Sequence, residues 1–296
     1  MGAYSSATER AWASDSKVFS EWCRKHRRKA LPASPETIAA FLKDQAKGKK
    51  AATLRRYLAT LSHLHTAAEL PDPTKVPAVQ AVLKRAAKSQ GTRQRQARGL
   101  SEEDVEKILA VLGDSLIDLR DRALLLVGRD MLARRSELVG LDVEDIQKGR
   151  DGSGTALIRR SKTDQNGLGA EVYLSPLAMR SLSAWLTASE IEQGPIFRKV
   201  DRWGNVSSRR LGSTEVSLIL KKLAKKAGLR ESTRISGHSL RVGMAQDLVA
   251  SGVELPDLMQ AGRWKSPEIP ARYAERQLAS RGAVARYHRK KSRKRT

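Results

Sequence analysis

Lys88-Ser-Gln-Gly-Thr-Arg-Gln-Arg-Gln-Ala-Arg-Gly99 divides the chain. The stretch has almost no apolar content, two glycines and four positive charges, so it has nothing to bury. It reads as a basic linker over 89–100, its charge suited to lie along something acidic. On its N-terminal side every apolar pattern has helical spacing. Trp12, Val18, Phe19, Trp22 and Cys23 form one stripe between Ser6 and His26. Ser34-Pro35, a capping residue followed by proline at the first helical position, opens a second helix through Ile38, Phe41 and Leu42. Leu54, Leu58, Leu61 and Leu64 mark a third between Lys50 and Ala68, closed by Pro71 and Pro73, and Val79, Val82 and Leu83 mark a fourth. No strand pattern precedes residue 100. Residues 1–88 are therefore predicted to be an all-α domain.

On the C-terminal side Ser101-Glu-Glu-Asp104 is a helix start, with acidic groups where the helix dipole favours them. Residues 101–296 read as a mixed α+β domain, mainly helical. The spacing predicts helices over 102–112, 116–131, 134–140, 176–189, 213–227, 239–251, 254–260 and 267–279. Thr155–Arg159 and Ala170–Leu174 flank the polar Asp164-Gln-Asn-Gly-Leu-Gly169, a small hairpin with Lys162 near its tip. The fold class is thus multidomain, an all-α unit followed by a mixed one with a small β-hairpin sheet.

Composition narrows the function. The 296 residues carry 56 Lys+Arg against 32 Asp+Glu, a net charge of +24. Residues 1–100 hold 20 basic and 7 acidic side chains and residues 101–296 hold 36 and 25, so both domains are suited to face a polyanion. No apolar run is longer than that of Ala123–Val127, far short of the ~20 residues of a membrane span, and the N-terminus lacks the hydrophobic core of a signal peptide. Cys23 is the single cysteine, and no Cys/His cluster has zinc spacing. A membrane protein, a disulfide scaffold and a thiolate-metal protein are excluded, and no glycine loop of the phosphate-cradling kind occurs.

Four separated segments hold side chains suited to phosphate chemistry. They are Leu132-Ala-Arg-Arg-Ser-Glu-Leu138, Arg160-Ser-Lys-Thr163, Gly237-His-Ser-Leu-Arg241, and Ala261-Gly-Arg-Trp264 followed nine residues later by Tyr273. His238 and Arg241, at i and i+3, share a helix face. Two arginine forks match the non-bridging oxygens of a phosphate, an imidazole and an indole N–H add donors, a lysine can deliver a proton, and a tyrosine hydroxyl can attack phosphorus. Carboxylates clustered for two metal ions are not found, so no metal or other cofactor is expected. Taken singly, each of these residues reads as ordinary: Arg134 as a solvated helix face, His238 as a surface hydrogen-bonder, Lys162 as a turn lysine, Trp264 and Tyr273 as packing.

Their order and spacing resemble the tyrosine recombinase (phage integrase) family. The resemblance is densest in Ser236-Gly-His-Ser-Leu-Arg-Val-Gly243, continues through Gly252-Val-Glu-Leu-Pro256 to Met259-Gln-Ala-Gly-Arg-Trp264, and reaches Trp22-Cys23, Arg28-Lys29 and Leu70-Pro71. It implies a core-binding, SAM-like N-terminal domain (1–88) and a catalytic domain (101–296) that clamp duplex DNA. It places the phosphate-clamping arginines at Arg134 and Arg241, the general acid at Lys162, the family's histidine and tryptophan at His238 and Trp264, a supporting carboxylate at Glu137 and the nucleophile at Tyr273. Tyr287 is a rival hydroxyl outside the family's spacing. Glu215 departs from the pattern, standing where a basic side chain is expected.

The groove readers expected on the first and third helices are Thr8, Arg10, Lys17, Lys50, Thr53, Arg55 and Arg56; each also fits a plain solvated helix face. The implied partners are double-stranded DNA with an inverted-repeat site and other copies of the chain, a dimer per site and a homotetramer on two sites. The implied reaction needs neither metal nor ATP, and the implied location is the bacterial cytoplasm. A docking helix over 274–287, with Leu278, Ala279, Ala283 and Val284 as its apolar face, is expected to be exchanged between copies, with disorder over 288–296. A monomeric type IB topoisomerase and a DNA-binding protein without catalysis are the competing readings.

Overall fold

Ser5 and Ser34 each accept a backbone N–H three residues on, and so start the first two helices, α1 (Ser6–Lys25) and α2 (Pro35–Gln45). With α3 (Ala51–Ala67) and α4 (Pro77–Gln90) they bury Phe19, Trp22, Ile38, Phe41, Leu42, Leu54, Leu61 and Val79 in one core. The computed structural model describes residues 4–91, 93, 96–159 and 168–293, which fall into two compact units, Met1–Arg95 and Gln96–Thr296. Polar groups inside the first unit are satisfied. Asp15 on α1 is buried, pairs with Arg56 of α3 at 2.7 Å and accepts the Thr60 hydroxyl at 3.1 Å. Buried His65 accepts the Ala33 N–H on Nε2 at 3.0 Å and faces the Leu61 carbonyl with Nδ1 at 2.8 Å.

The linker is shorter than the sequence suggests. Helix α4 runs through Ser89 and Gln90 because the Gln90 side chain is a clasp: Nε2 donates to the Ala46 and Lys49 carbonyls, and Oε1 accepts the Ala51 N–H at 2.9 Å. At the other end, residues 98–100 are built into the second unit. Leu100 is buried and donates its N–H to Ser239 at 3.0 Å, while its carbonyl accepts Arg129 Nη1 at 2.8 Å.

The second unit starts with a reciprocal Ser101/Asp104 cap on α5 (Glu102–Ala110). Then come α6 (Leu116–Asp130) and α7 (Arg135–Gly140). Strands β1 (Ile146–Lys148), β2 (Gly154–Ile158) and β3 (Ala170–Leu174) form an antiparallel sheet in that order, with Ala156 opposite both Ile146 and Val172. After α8 (Pro176–Ala188), β4 (Arg198–Val200) and β5 (Val206–Arg210) form a second hairpin. The remaining helices are α9 (Ser213–Lys226), α10 (Ser239–Ser251), α11 (Leu255–Gly262), α12 (Glu268–Tyr273), α13 (Glu275–Arg281) and α14 (Ala283–Arg293). Apolar α6, with Leu124, Leu125 and Val127, is the centre of a core that includes Trp185 and Phe197.

Other expectations change too. The hairpin gains a third strand, β1. The β4–β5 hairpin has no counterpart in the sequence reading. The helix expected over 267–279 is interrupted at Ala274, which is buried with Leu132, Ala245, Val249 and Leu258. The tail expected to be disordered is helical as far as Arg293. Residues 274–281 also dock within their own chain: Leu278 packs on that cluster, and Arg281 Nη1 donates to the Val249 and Ala250 carbonyls at the end of α10. Glu215 is explained locally, since its carboxylate caps α9 by accepting the Gly212 N–H at 2.8 Å. Among the described residues no helix is long and apolar enough to cross a membrane.

Candidate active site

Two helices end in left-handed residues that face one another across a buried guanidinium. Leu132 (φ 43) follows α6, and Arg263 (φ 56) follows α11. These turns aim the Leu132 and Gly262 carbonyls at Arg241, on the first turn of α10, which donates Nη1 to one and Nη2 to the other. Carbonyls at helix C-termini are the negative ends of helix dipoles, so a cation is favoured there. Arg241 is 1 % exposed, and burial, followed by the charge of Arg134, pushes its pKa down to about 10, still protonated at neutral pH. The Trp264 ring covers its Cζ at 4.1 Å. Gly262 makes this possible, because a Cβ there would lie 1.9 Å from the Trp264 ring.

Arg134 precedes α7, and Glu137 one turn on reaches back to it. Glu137 Oε2 accepts the Arg134 N–H at 2.9 Å and Oε1 accepts its Nη1 at 2.6 Å. Burial works against the charge of this carboxylate, but these bonds together with Arg263 and Arg134 outweigh it and hold the carboxyl below the usual glutamate value. His238 caps α10 and keeps an exposed edge; desolvation of its ring, then the charges of Arg241, Arg135 and Arg134, hold its pKa below 6.5.

Tyr273 ends α12, half-buried, its ring edge-on to Trp264 with centroids 5.9 Å apart. Its carbonyl accepts Gln246 Nε2 at 3.0 Å, which ties α12 to α10.

Arg134, Glu137, His238, Arg241, Trp264 and Tyr273 thus converge from segments far apart in the chain. Lys162 lies outside the described residues. Tyr287 is on α14, exposed and stacked edge-on with His288. One member of the cluster escaped the sequence reading. Arg263 donates Nη2 to Glu137 Oε2 at 2.8 Å and Nη1 to the Met131 carbonyl at 3.1 Å. A charged residue just before Trp264 was the only signal for it. Among the described residues no group of three His, Cys, Asp or Glu could hold a metal ion. The cluster offers guanidiniums in excess over one carboxylate, a neutral imidazole and a phenol, a set that stabilises charge developing on a phosphate.

The residues expected to read DNA fall on α1 and the start of α3, and they differ in freedom. Arg10, Lys17, Lys50 and Arg55 are exposed, and Thr53 is half-buried. Thr8 shares a hydroxyl hydrogen bond with Ser5 at 2.9 Å, and Arg56 is committed to Asp15.

The chain matches the profile of the Phage integrase family over residues 98–279 and that of the Phage integrase N-terminal SAM-like domain over residues 2–70. It is 36% identical over 279 residues to an integrase/recombinase xerD homolog of Selenomonas ruminantium, which covers 90% of this chain and 81% of the relative. It is 30% identical over 302 residues to the recombinase cre of Escherichia phage P1, which covers 96% of this chain and 88% of the relative. Its fold is that of the XerH site-specific recombinase, solved as a post-cleavage complex on a palindromic difH substrate, with a TM-score of 0.69, 18% identity and coverage of 93% and 78% of the two chains. With the catalytic-domain profile spanning more than half of its length and two curated recombinases aligned across most of theirs, the chain belongs to the phage integrase family of site-specific tyrosine recombinases.

Proposed function

We propose that this recombinase cuts and rejoins duplex DNA through a 3′-phosphotyrosyl bond to Tyr273 and a Holliday junction, as a cre-like enzyme. The observation that carries the reading is the packing of the Tyr273 ring beside Trp264, which itself covers the buried guanidinium of Arg241. The Tyr273 oxygen attacks the scissile phosphorus, the bond to the 5′ oxygen breaks, and Lys162 gives that oxygen a proton. His238, uncharged at neutral pH, accepts the phenol proton. Arg134 and Arg241 carry the charge on the non-bridging oxygens, with Glu137 orienting Arg134 and Trp264 closing one side. The 5′ hydroxyl of a partner strand then attacks phosphorus and releases the tyrosine. The phosphodiester energy stays in the covalent link, so neither ATP nor metal is needed.

One tyrosine serves one strand, so exchange of four strands takes four copies, a dimer on each inverted-repeat site. Because Leu278 and Arg281 dock on their own chain, the exchanged segment narrows to α14 beyond Gly282, which exposes Val284 and Tyr287. Relatives from a bacterium and a phage support action on DNA in a bacterial cytoplasm.

The test is Tyr273→Phe on a nicked suicide substrate. Binding should persist while the covalent protein–DNA adduct disappears. An adduct that survives would move the nucleophile to Tyr287.

A further inference from the structure

Arg263 takes no part in the chemistry above, yet its guanidinium is largely buried against the group that holds Arg134. Glu137 is buried, its side chain 1 % exposed, and bonds Arg134 through both oxygens. A buried carboxylate in that position competes with an incoming phosphate for the same guanidinium and cancels its charge. Arg263 answers on Oε2, where its Nη2 lies 2.8 Å away in a 2.8 Å ion pair, and a second anchor to the Met131 carbonyl fixes the fork. The backbone at Arg263 adopts φ 56, a conformation that favours glycine, and this turn directs the side chain inward.

We infer that Arg263 is a positioning residue of the cleavage site, which occupies and compensates Glu137 so that Arg134 keeps a net charge for the scissile phosphate. The inference rests on the assignment of Tyr273 and its neighbours to DNA cleavage. Arg134 and Glu137 alone would be a neutral pair. With Arg263 the three groups retain one positive charge, and the donors of Arg134 not spent on Glu137 remain available.

The test is adduct formation in a single turnover on saturating suicide substrate. Arg263→Gly suits the left-handed backbone and removes the guanidinium. It should slow adduct formation about tenfold or more while changing DNA affinity less than about threefold. Arg263→Lys keeps the charge but not the fork, so it should lose clearly less than Arg263→Gly. The decisive measurement is the sign of a second change. Glu137→Gln should slow the unmodified enzyme but speed the Arg263→Gly variant, recovering about tenfold, because it removes the charge left uncompensated. A support role confined to folding would make the double variant slower still. If the glycine variant does not fold, Arg263→Met, which keeps the bulk, carries the same comparison. Arg263→Gly at the unmodified rate, or Glu137→Gln slowing both backgrounds, would overturn the inference and leave the cleavage reading intact. No adduct from the unmodified enzyme would overturn both.

Discussion

His238 links the chemistry of the cluster to its pH response. Its pKa is held below 6.5 by desolvation and three neighbouring arginines, so the unfolded chain takes up a proton before the folded one does. Stability from this group is therefore full above 6.5 and lost as pH falls from there to the folded value. Glu137 runs the same way in a lower window: its lowered pKa gives stability above 4.5 that is lost on further acidification. His238→Asn should flatten the dependence of Tm on pH just below 6.5 and leave the acid limb unchanged, which a calorimetric pH series checks. An unchanged slope below 6.5 would mean that His238 titrates freely. The His238–Arg241 relation was legible because i and i+3 on a helix fix it. Arg263 was not, since its partner Glu137 lies 126 positions away and only the tertiary fold joins them.

Among the elements, α10 is tightly constrained where the chain crosses it at Leu100. Gly243 sits under that crossing, and a Cβ there would lie 1.8 Å from the Leu100 carbonyl oxygen, a backbone atom with nowhere to go. Gly243→Ala should cost at least ~2 kcal/mol and lower Tm by several degrees. Gly140→Ala, with open space around its Cβ, is the control. Equal melting of the two variants would show that the crossing yields.

Helices with caps and apolar stripes were readable from sequence, as at Ser34-Pro35 and Ser101–Asp104, because the signals are local. The β4–β5 hairpin was not. Its strands, Arg198-Lys-Val200 and Val206-Ser-Ser-Arg-Arg210, are short and polar, and the turn is fixed by Asp201, which accepts the N–H groups of Trp203 and Asn205 at 2.8 and 2.9 Å. The interruption at Ala274 was hidden for the opposite reason: no glycine marks it, and burial of that alanine sets it. The linker composition was read correctly as polar, but Gln90 acts through side-chain bonds to residues more than 39 positions upstream or at that distance, which no local pattern reveals.

For the molecule as a whole, the charge of +24 suits a polyanionic partner whose binding weakens with salt. Each phosphate contact releases condensed counterion, so the log–log slope of affinity against salt should steepen by about −0.9 per contact. Substituting an exposed candidate such as Arg55 by alanine should flatten that slope by about one contact, whereas Arg56→Ala should mainly lower Tm, because its partner is Asp15. Fluorescence titrations over a salt series, run in EDTA, check both; an equal loss of slope from the two variants would mean that Arg56 leaves Asp15 for DNA. The cradle of Arg241 has a further consequence. The Leu132 and Gly262 carbonyls hold the guanidinium by dipoles and not by a counter-ion. Among the described residues no carboxylate is ion-paired with Arg241, so none has to let go when a phosphate arrives, and the guanidinium keeps its orientation while the cover over it opens. The temperature dependence of strand cleavage should accordingly be dominated by activation enthalpy, with a small entropic term, as for a reaction whose solvent is already oriented before the reactant enters.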